Sequence, residues 1–244
     1  MKLDHLYLWH DTVPHAGPLN MAIDEVLLHQ AKEPWLRCYA WSEPSVSIGF
    51  SQDPVALAPT LPPFPVVRRW TGGGVVIHDG DWTYTLIVPR DHPFCELRPV
   101  ETYRLIHVAL IEALAGIGID GCELQPVSTS EGRGVCFVEP AMYDVVRGPD
   151  KIAGAAQRRS RLGFLHQASV QNVTLPGDFG TRFAGILAEQ VTVMPQAEVE
   201  SQILAEATKL STTRYGAASW LEHRRDLGEP IPGQAPSSSS TAVA

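Results

Sequence analysis

The spacing of apolar positions along the chain predicts alternating short strands and helices. In LDHLYLWHD, Leu3, Leu6 and Leu8 read as one strand. The run LNMAIDEVLLHQA then places Leu19, Ala22, Ile23, Val26 and Leu27 on one helical face, with Pro18 suited to the first turn. WLRCYAW and SVSIGFSQ, split by Glu43-Pro44, predict a hairpin. DPVALAPTLPPFP reads as a loop. FPVVRRW and VVIHDGDWTYTLIVP are rich in β-branched and aromatic residues and predict strands joined at Thr71-Gly72-Gly73-Gly74.

A long helix follows Pro99, with Tyr103, Ile106, Leu110, Ile111 and Leu114 at helical spacing and glycines at its end. Beyond a Ser/Thr/Gly-rich stretch, GVCFVEP, MYDVVRG, KIAGAAQRRS and GFLHQASVQNV predict further short strands. DFGTRFAGILAEQV and AEVESQILAEATKL are helical by period. The last residues, rich in Pro and Ser, have no apolar face to bury, so a domain over residues 1–225 is expected to carry a disordered tail over 226–244. The sum is an α+β chain with mainly antiparallel or mixed sheets and helices packed outside.

Composition narrows the function classes. The 244 residues are 44% hydrophobic and 19% charged, as in globular domains that fold around one sizeable core. No apolar stretch is long enough to span a bilayer, and MKLDHLYLWHD lacks the features of a signal peptide, so a cytoplasmic protein without a membrane partner is expected. A net charge of -8 argues against general nucleic-acid binding. Cys38, Cys95, Cys122 and Cys136 show no metal-ligand spacing, and no metal site is expected. Basic residues cluster locally at Arg68-Arg69 and at Lys151, Arg158, Arg159 and Arg161, which suits a small anion or an acidic partner.

Four features could carry chemistry. The glycine triplet lacks the following Lys-Ser/Thr of a phosphate loop and does not open a helix, which leaves a tight turn or a close approach to a ligand. Arg68 and Arg69 face opposite ways on a strand, so at most one aims into a pocket. His78-Asp79 reads as a hydrogen-bonded structural pair or as an acid-base pair. Lys151, followed by Gly154, Ala155 and Ala156, is either a solvated edge residue or a cation facing a groove that small residues leave open. Cys136 is either an inert buried thiol or a nucleophile activated by a nearby cation.

Five stretches in order, NMAIDEVLL (20 to 28), RRWTGGGVVIHDGDWTYT (68 to 85), CFVEPAMYDVV (136 to 146), DKIAGAAQRR (150 to 159) and LHQASV (165 to 170), together resemble the lipoate-protein ligases and octanoyl transferases. Those enzymes share a class II synthetase-like catalytic domain with biotin-protein ligases. The resemblance implies an acyl pocket lined by Gly72, Gly73 and Gly74, with Arg69, His78, Gly154, Ala156 and His166 as further substrate-binding positions. It also implies that Lys151 contacts the carbonyl end of the acyl group or its phosphate; at the carbonyl, developing oxyanion charge needs a positive group. No firmly bound cofactor is implied, and lipoate or an octanoyl group is the substrate. The implied partners are lipoyl domains of 2-oxoacid dehydrogenases, the glycine cleavage H protein and acyl carrier protein.

The family's two branches leave different marks. Three glycines resemble the ligases, which use ATP and Mg to form a lipoyl-adenylate and often carry an accessory C-terminal domain, for which no room is expected here. Gly80-Asp81-Trp82-Thr83-Tyr84-Thr85 and the segment holding Cys136 resemble the transferases, which move octanoyl from acyl carrier protein through a cysteine thioester. Transfer through Cys136 is the expectation. The alternatives are an ATP-dependent ligase and a non-catalytic lipoate-binding paralogue. The glycine loop of biotin-protein ligases, G-R-G-R-x-G-R, is missing from the sequence.

Overall fold

The structure is a computed structural model, and it describes residues 2–126 and 141–226. The chain runs β1 (Leu3–His10), α1 (Gly17–Gln30), β2 (Trp35–Tyr39), β3 (Ser45–Ile48), α2 (Pro54–Leu57), β4 (Val66–Arg68), β5 (Val76–His78), β6 (Trp82–Pro89) and α3 (Pro99–Ala115). It continues through β7 (Glu123–Leu124), β8 (Val145–Arg147), β9 (Asp150–Ser160), β10 (Gly163–Val170), α4 (Phe179–Leu187), β11 (Ala188–Val193), α5 (Gln196–Leu210) and α6 (Ala218–His223).

Eight strands form one mixed sheet in the order β11-β1-β2-β6-β10-β9-β8-β7, parallel where β1 meets β11 and β2 and antiparallel elsewhere. Three more form a small sheet in the order β4-β3-β5. Strand alternation divides the core in two. Leu36, Leu86 and Phe164 face α3 and α4, where Ile106, Leu110, Leu114 and Phe183 cover them. Trp35, Ile87 and Leu165 face the other way, toward Ile23 and Val26 of α1 and Ile203 of α5. The small sheet packs around Val46, Ile48 and Val75.

Helix α1 buries polar as well as apolar side chains because they close a network over the large sheet. Arg37 donates to Asp24 at 2.8 Å, to Asp11 at 2.6 Å and to the Asn20 side chain at 2.7 Å. Thr85 and Gln167 both donate to the second oxygen of Asp24, at 2.7 and 2.8 Å. A buried guanidinium is tolerable only when paired and hydrogen-bonded in this way.

Three expectations need correction. WLRCYAW and SVSIGFSQ are not a hairpin: β2 pairs with β1 and β6 in the large sheet, whereas β3 pairs with β4 and β5 in the small one. Both strands are buried along their whole length, so no alternation marks which partner each takes. The helix beginning at 179 ends at Leu187, and AEQVTV is a strand running parallel to β1. Pairing with the free edge of β1 overrides the helical propensity of Ala, Glu and Gln there. The proline-rich loop holds a short helix, α2, capped by the Asp53 side chain, which accepts from the Val55 and Ala56 amides, and a 3-10 turn over Ala58–Thr60 follows it. The expected strand GVCFVEP lies outside the described residues, as do residues 227–244 of the tail.

Candidate active site

The two sheets enclose a cleft of ≈ 550 Å³, mouth included. Its floor is set by register. Tyr39 pairs with Thr83, Thr83 with Ser169, and Ser169 with Gly154, so these four stand in one row across β2, β6, β10 and β9. Three inter-strand spacings make the row about 14 Å long. Each residue faces the α1 side, and the small side chains of Thr83, Ser169 and Gly154 leave room above them. The roof comes from the small sheet and its connection: Ser47 of β3, Gly73 and Gly74, and Val76 and His78 of β5. Met21, Trp41, Ala155, Ala156 and Ala168 add apolar lining, which suits a hydrocarbon chain.

The glycine segment joins β4 to β5, but the two strands are not neighbours, since β3 lies between them. The chain therefore crosses the end of β3, and Gly49 permits the crossing. A Cβ at residue 49 would stand 1.9 Å from the Gly73 carbonyl oxygen. Gly73 has φ +81, and a Cβ there would meet Ala156 Cβ at 3.3 Å. Gly73 and Gly74 line the cleft; Gly72 does not, and a Cβ on it would meet nothing within 4 Å.

Arg69 holds this loop from inside. Its guanidinium donates to Ser47 O and Oγ at 2.8 and 2.7 Å, and to the Gly72 and Gly74 carbonyls at 3.0 and 2.8 Å. Arg68 points the other way, as alternation requires, and donates to the Phe50, Gln52 and Leu221 carbonyls. Thr71 adds a third tie, donating to Gln167 at 2.7 Å.

His78 pairs with Asp81, not with the adjacent Asp79. Its Nδ1 lies 2.8 Å from Asp81 Oδ2 and its Nε2 lies 2.7 Å from Ser47 Oγ, while Trp41 stacks on the ring at 3.8 Å. Burial lowers the His78 pKa, outweighing the opposing pull of Asp81, and the nearby Arg69 charge lowers it further. Thr83 and Ser169 also donate to Asp81, at 3.1 and 2.5 Å, so this carboxylate ties the floor to the roof.

At the β9 end, Lys151 Nζ lies 2.7 Å from Asp144 Oδ2. Both side chains are nearly closed to solvent, at 5% and 2% exposure, yet both line the cleft. The bulge at Val145/Val146 and the register Val146 to Lys151 bring them together. Gly154 makes the space: a Cβ there would stand 2.6 Å from Lys151 Cε and 2.7 Å from Nζ. The Ala141 amide donates to the same Asp144 oxygen at 2.7 Å.

Among the expected site residues, the cleft thus gathers Lys151, Arg69, Gly73, Gly74, His78, Gly154 and Ala156. It does not gather His166, which is fully buried on the α3 face, with Nδ1 3.0 Å from Gln157 Nε2 and its ring near Tyr103 and His107. One position along β10 separates it from Gln167, which faces the cleft, and alternation sends the two to opposite sides. Cys136 lies outside the described residues. Arg158 and Arg159 form no common patch: Arg158 lies over Trp70 and Phe50, and Arg159 donates to Cys95 O and Thr102 on the opposite face. Asp144, Asp81, Ser47, Trp41 and Gly49 were not singled out from the sequence. Their roles depend on contacts between segments that mostly lie far apart in the chain; Asp81 and Asp144 stand within the family-like motifs at 68–85 and 136–146, but nothing local marks what each touches. Among the described residues no three His, Cys, Asp or Glu side chains gather as a metal site, and no helix is long and apolar enough to cross a membrane.

The fold matches that of solved lipoate-protein ligases. Protein Ta0514 of T. acidophilum, solved with bound lipoic acid, matches with a TM-score of 0.64 and 21% identity, covering 90% of this chain and 98% of that one. A lipoate-protein ligase A bound with ATP gives 0.63 at the same identity and coverage. The chain belongs to the lipoyl protein ligase A/B catalytic domain family, whose model matches residues 17–213. Octanoyltransferase LipM of Bacillus cereus is 33% identical over 166 residues, covering 62% of this chain and 60% of that protein. LipM of Staphylococcus aureus is 35% identical over 170 residues with the same coverage. The match thus spans about 60% of the length of these relatives.

Proposed function

We propose that this protein is an acyltransferase that attaches an octanoyl group to the lysine of a lipoyl domain. The observation that carries the reading is the Lys151 ammonium, buried with Asp144 and folded over Gly154 in an apolar cleft. An acyl chain lies between the sheets, and its carbonyl meets the cation, which stabilises the oxyanion of a tetrahedral intermediate. The names of the octanoyltransferase relatives support the acyl group.

Cys136 is the proposed nucleophile. It precedes Ala141, a lining residue, by five positions in the chain. Its thiolate attacks the thioester carbonyl of octanoyl-acyl carrier protein, and the carrier leaves as a free thiol. The acceptor lysine, as a free amine, then attacks the enzyme thioester, forms the amide and releases Cys136. Lipoyl domains of 2-oxoacid dehydrogenases and the glycine cleavage H protein are the proposed acceptors, and the cytoplasm is the proposed location.

The second reading is an ATP-dependent lipoate ligase, favoured by Gly74 completing the ligase-like triplet. Incubation with octanoyl-acyl carrier protein is expected to leave an octanoyl mass on Cys136 and to pass it to an added lipoyl domain. No adduct, together with lipoate-dependent ATP-pyrophosphate exchange that survives Cys136→Ser, overturns transfer in favour of ligation.

A further inference from the structure

Helix α3 places the Tyr103 hydroxyl behind the Asp144–Lys151 pair. The Tyr103 hydroxyl donates to Asp144 Oδ1 at 2.5 Å and accepts the Ala155 amide at 2.9 Å. Asp144 Oδ2, its other oxygen, holds Lys151 Nζ and the Ala141 amide, both at 2.7 Å. The Ala155 amide is available because β8 pairs with β9 only as far as Ala153. A phenol therefore stands where a strand partner would. Burial, and then the Asp144 charge, raise the Tyr103 pKa well above its usual value and keep it a proton donor.

We propose that Tyr103 is a positioning residue, whose hydroxyl locks the Asp144 carboxylate to β9 and thereby fixes the Lys151 ammonium in the cleft. A carboxylate held at one oxygen only can rotate about its terminal bond, and a cation paired with it moves too. Tyr103 holds the second oxygen and anchors it to Ala155, next in the chain to Gly154, over which Lys151 folds. Displacement of such a group by about 1 Å is enough to cost up to about 100-fold in rate. The inference rests on the reading of Lys151 as the carbonyl's partner.

The test is Tyr103→Phe, which keeps the ring contacts with His107 and His166. In the octanoyl transfer assay, kcat is expected to fall about 10- to 100-fold with KM for the carrier donor within about twofold. In a Lys151→Ala background, the same change is expected to cost less than about twofold, because the group it positions is gone. A second measurement needs no turnover: brief labelling with isotopic acetic anhydride, read by mass spectrometry at Lys151 against Lys2, Lys32 and Lys209. Tyr103→Phe is expected to speed labelling at Lys151 several-fold and to leave the other three unchanged. Labelling of Lys151 within about twofold of wild type overturns the positioning role whatever the activity, as does a kcat loss that adds in full to that of Lys151→Ala. Faster labelling in a protein whose wild type transfers no octanoyl group sustains the positioning role and overturns the acyltransferase reading instead.

Discussion

Lys151 occupies the space where residue 154 would carry a side chain: a Cβ on Gly154 would stand 2.6 Å from Lys151 Cε and 2.7 Å from Nζ. The clash is with the far end of a flexible side chain and not with backbone. Gly154→Ala is therefore expected to fold with a thermal midpoint close to wild type while its kcat drops at least about 10-fold, as for other displaced charge stabilisers. Steady-state kinetics beside a thermal melt checks both halves, and a variant of wild-type rate would show that the ammonium need not lie over residue 154.

The opposite outcome is expected at Gly49. Its Cβ would overlap the Gly73 carbonyl oxygen at 1.9 Å, backbone against backbone, so Gly49→Ala must push the glycine loop off the end of β3. Loss of about 3 kcal/mol or more, read by urea unfolding, is expected from such overpacking. Gly72→Ala, with nothing within 4 Å of the added methyl, is the control and should be nearly neutral.

Among the described residues, Arg69, itself only 5% exposed, donates to four acceptors, three of them carbonyls. Arg69→Ala leaves those acceptors without their donor and is expected to destabilise by about 3–5 kcal/mol. Arg69→Lys, with a single point charge in place of a fork, should recover only part of that loss. Unfolding curves for the two variants measure the difference directly.

Buried His78, His107 and His166 contribute to the protein's response to acid. Burial lowers the pKa of His78, His107 and His166, and neighbouring charges lower it further at His166 through His107. The unfolded chain takes up protons on these rings as the pH falls through about 6.5, whereas the folded chain does so only at lower pH. Stability contributed by neutral histidine is thus fully present above that value and falls as the solution is acidified below it. The urea midpoint is expected to be lower at pH 5.5 than at pH 7.5, and an unchanged midpoint contradicts the assignment.

Much of the fold was legible because helical and strand periods are local. The α1 face, the long α3 and the strands of the β9-β10 pair follow from apolar spacing, and the motif around Lys151 marked a groove through its small residues. The pairing of His78 was not legible: Asp79 is the nearer acid in sequence, but Asp81, three residues on, lies beside Nδ1. Likewise, the sequence alone made β2 and β3 neighbours, and the fold sends them to different sheets.

The amino-acid sequence by itself determined the family, the α+β class and the residue types that serve the cleft, since these depend on local pattern and on motifs held within short stretches. Which side of a strand faces the ligand depends on register, and register is a property of paired strands. Tertiary structure therefore decided that Gln167 faces the cleft and His166 the opposite core. It also decided that Arg69 binds its own loop, and that Lys151 meets Asp144 across a bulge with Tyr103 behind them. The floor of the cleft, a row of residues from four strands, exists only once those strands lie side by side.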